Sequence, residues 1–286
     1  MWVALAINVA MLAVEAVGGV LTGSLAVLAD AGHLVSDVGS IALALFAAAL
    51  ATRPAGDRMT FGYQRSEILA ALTNGLLLVA VAIAVAIAAV GRLGDPPQID
   101  GLGVLGLGLF GLLGNLGATL VLARGERVDV NLEGVLRHSA ADAVGSLGVV
   151  LAGAVVLAGG SPIVDPIVSL AIAALILASS WRLIREPVGV LMEAAPPGFD
   201  VAAAGAAICE EEGVLSVHDL HVWAVTSGFG ALAAHVVVSA DCDRDLVRRR
   251  LELLLHERFG LDHTTLQMEE QAAETLLRVE NAPRQG

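Results

Sequence analysis

His33 and Asp37 stand four residues apart, and His138 and Asp142 repeat that spacing far along the chain. Four residues on an α-helix turn the direction by only about 40° beyond one full turn, so each pair shares a face. Two such helices facing each other would present two imidazoles and two carboxylates to one point. That is a tetrahedral N2O2 shell, which suits Zn2+ and which Co2+ or Cd2+ can also occupy. No cysteine lies near either pair, which argues against copper(I).

Both pairs fall inside long apolar stretches. An aspartate at the centre of a membrane helix costs about 2.5–3.5 kcal/mol on insertion scales. Incurring that cost twice, each time beside a histidine at the same spacing, points to a bound cation or a water-filled path. The plainer alternative is that the four residues only bond one another across a helix bundle. It explains one pair well and the duplication poorly. Asp30, one turn before His33, can orient that imidazole or relay protons, but a helix-end cap or an interface residue explains it equally well. Glu15, Asn8, Asn74 and Asn115 also lie in apolar stretches, where hydrogen bonding between helices is the default account.

The elements that must hold these pairs are membrane helices. A span needs about 20 mainly apolar residues. Six segments meet that requirement, near 2–22, 24–50, 66–91, 101–122, 134–158 and 163–185. Thr22-Gly23 reads as a tight turn, residues 53–58 as a polar loop, and Gly94-Asp95-Pro96-Pro97 as a helix stop. Gly159-Gly160-Ser161-Pro162 separates the last two spans. Arg53, Arg58, Arg65, Arg124, Arg127, Arg182 and Arg185 fall on one side of this arrangement, and the other side offers only Arg92. By the positive-inside rule both termini lie in the cytoplasm, as an even number of spans requires. The first span has no basic lead and no convincing cleavage site at Val17-Gly18-Gly19, so it reads as a membrane helix and not a signal peptide. Its abrupt start leads us to expect a short cytosolic lead-in before it.

Bulk composition agrees. The chain of 286 residues is 56% hydrophobic with a mean hydropathy of +0.78, too apolar for an ordinary soluble domain of this length. Charges crowd the part after Met192. The formal net charge is −13 and every basic residue is arginine, without a basic stripe, which argues against a nucleic-acid partner. Cys209 and Cys242 lie far apart and read as free thiols.

Past residue 193 the periodicity changes. Residues 200–212 look helical, His218–Val225 and Ala231–Ser239 alternate as strands around Thr226-Ser227-Gly228, and 243–259 reads as an amphipathic helix. On that helix Leu246, Leu251, Leu254 and Leu255 oppose Arg248, Arg249 and Glu252. Thr264–Glu269 is a last strand. The expected architecture is a six-helix transmembrane domain over 1–193. An α-β-β-α-β ferredoxin-like domain over 194–286 follows it into the cytosol. Gly101-Leu102-Gly103-Val104-Leu105-Gly106 spells GxGxxG, but with no preceding strand it reads as a helix-packing surface and not a nucleotide loop.

Four stretches carry a family resemblance. Gly23-Ser24-Leu25-Ala26-Val27-Leu28-Ala29-Asp30-Ala31-Gly32-His33 with Ser36-Asp37 resembles the second-helix signature of the cation diffusion facilitator family. Phe61-Gly62-Tyr63-Gln64-Arg65-Ser66-Glu67 is similar to that family's entry to helix three. His138-Ser139-Ala140-Ala141-Asp142-Ala143-Val144-Gly145-Ser146 resembles its fifth-helix site, and His218-Asp219-Leu220-His221-Val222-Trp223 its cytosolic domain. The resemblance implies a homodimeric cell-membrane exporter that trades cytosolic divalent metal for external protons. It places His33, Asp37, His138 and Asp142 on the transport-site positions of the zinc-preferring branch. Exchange is chemically sensible, because metal and protons compete for the same lone pairs.

The same resemblance puts His218, His235 and Glu269 where the cytosolic domain can bind metal, with His221 and His263 as neighbours. Such a cluster could be a regulatory zinc site or a set of ordinary surface histidines. Strand alternation would set His218 and His221 on opposite faces. His256, at a helix end, reads as a solvated residue favourable to the helix dipole. Two departures stand out: residues 123–130 hold no histidine-rich segment, and the loop between helices two and three holds no histidine, so no loop metal store is expected. An intramembrane zinc enzyme would want three ligands, an open position and a general base, which a closed set of four without HExxH does not offer. A sensor that binds metal without moving it remains the rival, and it predicts binding without flux.

Overall fold

The structure, a computed structural model, describes residues 2–123 and 131–270. Within them it describes the side chains other than those of 2–4, 7, 118, 119, 121–123 and 131–141. The fourth connection, with Arg124 and Arg127, therefore lies outside the described residues. The chain divides into two compact units, Met1–Val188 and Gly189–Gly286.

The first unit is all helical: α1 (Trp2–Thr22), α2 (Leu25–Ala51), α3 (Ser66–Arg92), α4 (Gly101–Ala123), α5 (Asn131–Leu157) and α6 (Val164–Leu191). By length and composition α2, α3 and α6 can cross a membrane, and Asn8–Thr22, Gly101–Gly117 and Asp142–Leu157 are shorter apolar helical stretches. Phe46, Leu76, Ile83, Ile87, Leu113 and Leu151 are exposed, as side chains that face lipid should be. A tight core of small and branched residues lies inside, among them Ala26, Val27, Leu78, Ala82, Val104, Val149 and Ile172.

Helix α6 continues beyond the expected end at 185, to Leu191, and carries Pro187 in its interior. The apolar run stops near Arg182, but helical propensity does not, and Arg182 bonds Glu186 one turn on. Helix α5 begins at Asn131, three residues before the apolar stretch that marked it.

Glycine sets how closely α4 and α5 approach. A Cβ on Gly153 would stand 2.4 Å from the backbone nitrogen of Leu105, and one on Gly108 would stand 2.7 Å from that of Val150. Backbone thus meets backbone, and the glycine run serves helix packing. The α1–α2 turn depends on Gly23 at φ +72, a conformation that side-chain-bearing residues resist.

A buried carboxylate ties that turn to α6. Ser24 caps α2, accepting from the Val27 amide, and donates its hydroxyl to Asp165 Oδ1 at 2.5 Å. The amides of Leu25 and Ala26 also donate to Asp165, which is 1% exposed. The N-terminus of α2 thus receives a negative charge where its free amides and dipole favour one. Arg92, the arginine that sequence reading left alone on its side, bonds the Gly23 carbonyl and lies 3.9 Å from Asp165.

The second unit is α7 (Val201–Cys209), β1 (Val214–Thr226), β2 (Phe229–Val238), α8 (Arg244–Phe259) and β3 (His263–Glu270), the α-β-β-α-β order expected. β1 and β2 form an antiparallel hairpin, and β3 lies parallel to β2 after the α8 crossover, giving the order β1-β2-β3. Leu232, Ala234, Val236 and Val238 on one face of β2 bury against Val247, Leu251 and Leu255 of α8. Leu246 was expected on that apolar face and is exposed instead. Val247 completes the stripe at 247, 251 and 255, where four-residue steps keep to one side of the helix.

Replacing Asp165 by Ala should strip three buried donors of their acceptor at once. We expect a loss of about 3 kcal/mol, read as a lower thermal midpoint of the purified protein.

Candidate metal centre

Helices α2 and α5 pack against each other, and their contact brings the sequence-marked residues together. His33 Nε2 lies 2.8 Å from Asp142 Oδ1 and 4.0 Å from Asp37 Oδ2. One ligand atom from each of His33, Asp37 and Asp142 falls within 4.8 Å of the others. The three side chains are only 12%, 19% and 12% exposed. His138 sits on α5 one turn before Asp142, and its side chain lies outside the described residues. One imidazole and two carboxylates converge from two helices, so a divalent ion would meet nitrogen and oxygen donors of the kind zinc accepts.

A cavity of about 30 Å³ opens beside this group, lined by Asp30, His33, Asp142, Gly145, Ile176 and Ser179, among others. That is room for about one water or a small ion. Asp30 is buried and accepts the Ser146 hydroxyl at 3.0 Å, and Ser146 in turn accepts from the Asn115 amide. Asp30 thus bonds across to α5 and lines the cavity beside His33. Asn74 does what interhelical bonding predicts, accepting from Ser36 on α2 at 2.9 Å.

A second group lies on the sheet face of the other unit that is turned away from the helices. His218 pairs with His235 across the hairpin, and Glu269 of β3 stands beside β2. Glu269 takes His218 Nε2 at 3.0 Å through Oε2 and His235 Nδ1 at 2.8 Å through Oε1. The two imidazole rings are 5.0 Å apart. The hydrogen bond from His218, helped by those of Gln267 and His235 and opposed by partial burial, holds the Glu269 carboxyl below its ordinary range. His221 and His263 lie outside this group of three and are exposed, His263 edge-on to Phe229. Strict alternation fails between His218 and His221, because the ladder shifts register there and Asp219 takes φ +48. His256 pairs with Asp262 at 2.7 Å and plays no part in either group.

Residues 1–192 match the model of the cation efflux transmembrane domain, and 196–271 that of the cation efflux protein cytoplasmic domain. The chain belongs to the cation efflux family. It is an integral membrane protein with a cytoplasmic C-terminal domain, and a transporter, not an enzyme. Cation efflux proteins similar to it include the cadmium, cobalt and zinc/H(+)-K(+) antiporter of Bacillus velezensis, 37% identical over 90% of this chain and 83% of the relative. The zinc transporter ZitB of Escherichia coli is 34% identical over 94% of this chain and 86% of its own. Among solved structures, the metal-bound C-terminal domain of the CzcD transporter from Cupriavidus metallidurans is 38% identical. It covers 24% of this chain and 97% of that one, with a TM-score of 0.24.

Sequence reading set Glu15 aside with the interhelical hydrogen bonders. In this cation efflux protein it is 2% exposed, and its carboxyl group neighbours Asp30 and Ser146. An acid in an otherwise apolar helix was the only signal, since nothing in its spacing links it to α2 or α5.

Because Glu269 is held more acidic when folded, its contribution to stability is present above the ordinary glutamate range of about 4.3 and fades as pH falls through the depressed value. In metal-free protein, hydrogen-exchange protection of β2 and β3 should exceed that of Glu269→Gln near pH 6. That difference should shrink as pH falls below about 4.3.

Proposed function

We propose that this protein exports a divalent metal cation, Zn2+ before Co2+ or Cd2+, in exchange for protons, with His33, Asp37, His138 and Asp142 as the transport ligands. The observation that carries this reading is the convergence of His33, Asp37 and Asp142 from two helices onto one half-buried point. An N/O donor set at that spacing favours zinc and its neighbours over Mg2+ or Ca2+, which prefer oxygen alone. Protons enter through the same atoms: an ion displaces the proton from imidazole and carboxylate, and its departure lets protons return. The functions carried in the names of the similar cadmium, cobalt and zinc antiporter and zinc transporter support the metal class and the proton coupling.

In this reading the transmembrane domain spans 1–193 and the cytosolic domain 194–286. Both termini face the cytoplasm of a cell-membrane homodimer, as the arginine distribution and the family resemblance support. Asp30 acts behind the ligands, through Ser146 and the shared cavity. His218, His235 and Glu269 form a second zinc site with a regulatory role. Two imidazoles already arranged around one carboxylate support it, and His221 and His263 would act at most as neighbours.

Reconstituted in liposomes with an imposed proton gradient, wild-type protein should move Zn2+ against its own gradient. Asp37→Ala and Asp142→Ala should each lower that flux more than roughly a hundredfold, since lesser losses around metal ligands already reach 10–100-fold. Flux indifferent to both substitutions would discard these ligands, and binding without flux would favour a sensor. Separately, His235→Ala should lower the zinc bound per chain by about one ion while leaving the membrane site able to bind.

A further inference from the structure

Glu15 is a buried carboxyl group that the metal chemistry does not use. It lies on α1, which packs against α2 and α4. A methyl group placed on Gly111 of α4 would stand 2.8 Å from Glu15 Oε1, 3.3 Å from Ser146 Oγ and 3.5 Å from Asp30 Oδ2. Four helices thus give a ring of three oxygens around one small space, and the absence of a side chain at Gly111 keeps it open. Glu15 is 2% exposed, and among the described residues its Oε2 has no hydrogen-bond partner.

The charged groups around Glu15 are few. Among the described residues α4 offers no ionisable side chain to it, α5 offers the neutral Ser146, and α2 offers Asp30. Among the described residues no cation faces Glu15, and His33, which lines the cavity beside Asp30, is taken up by Asp142. A pair of carboxylates this close, away from water, cannot both be ionised at little expense, so one of them keeps a proton. Their bonding decides which. Asp30 accepts the Ser146 hydroxyl, whereas among the described residues Glu15 Oε2 meets no donor.

We propose that Glu15 is a second proton carrier of this transporter, separate from the metal ligands. It holds a proton while the metal site is empty and releases it through Asp30 when a divalent cation binds. The geometry supplies the route. Asp30 Oδ2 faces the space it shares with Glu15, while a methyl group on Gly145, which lines the cavity of the metal site, would lie 3.7 Å from Asp30 Oδ1. Asp30 therefore spans the two compartments. The step is a plain proton transfer: the O–H bond of Glu15 breaks, one forms on Asp30, and the proton leaves by the cavity. The driving force is the positive charge of the ion beside His33 and Asp142, which favours the ionised form of every carboxylate near it.

This inference rests on the metal–proton exchange proposed above, and one measurement separates the two. Zn2+ is titrated into full-length protein in buffers of different ionisation enthalpy, and the protons released per ion are counted. Glu15→Gln, which has no proton to give, should release about one fewer than wild type, and its zinc Kd should lose up to about tenfold of pH dependence per pH unit. Glu15→Asp should keep the release. Should Glu15→Gln fail to fold, Asp30→Asn strands the proton on Glu15 and should show the same deficit. The cytosolic cluster is unchanged in every variant and cancels in the difference. Release equal to wild type in Glu15→Gln or Asp30→Asn overturns the role of Glu15 and leaves exchange standing. A wild-type protein that releases no proton overturns exchange and this inference together.

Discussion

Charge that must live away from water governs this protein. A carboxylate in a membrane-spanning helix is tolerable only where another group answers it: a donor, a cation or a proton. Among the described residues the buried acids of the transmembrane unit are answered in different ways. Asp165 is met by a helix N-terminus and the Ser24 hydroxyl. Asp142 is met by His33, and Asp30 by Ser146.

The packing of the helices follows from that requirement. α2 holds the central place, since it touches α1, α3, α4 and α5 and carries Asp30, His33 and Asp37. Its start is fixed by Asp165 from α6, and its middle meets α5 where His33, Asp37 and Asp142 converge. The α4–α5 pair is drawn together by glycines whose backbones nearly touch their neighbours, which sets the level at which Ser146 reaches Asp30 and Asn115. Movement of α2 relative to α5 would therefore change the ligand geometry directly. Alternating access by rocking helices about such a site needs no other moving part.

The cytoplasmic unit groups imidazoles and a carboxylate on a different support. Its helices bury one face of a three-stranded sheet and leave the other face to His218, His235 and Glu269. Three adjacent strands hold those groups at fixed spacing, so this cluster is assembled by sheet register, where the membrane cluster is assembled by helix contact.

What the sequence determined by itself was whatever depends on local periodicity: the spans, the α-β-β-α-β order, and the shared face of His33 with Asp37, since an i,i+4 spacing is a property of one helix. Tertiary structure decided what depends on contact between distant segments. Glu15 reads as one more polar residue until α1 lays it beside Asp30 of the next helix. Asp165 carries no mark in the sequence until it is seen capping α2. A shift of strand register between His218 and His221 turns both to one face of the sheet, where alternation alone would set them on opposite faces. Periodicity is written along a chain, whereas the choice of neighbour comes from packing, and here packing chose what stands beside each buried acid described above.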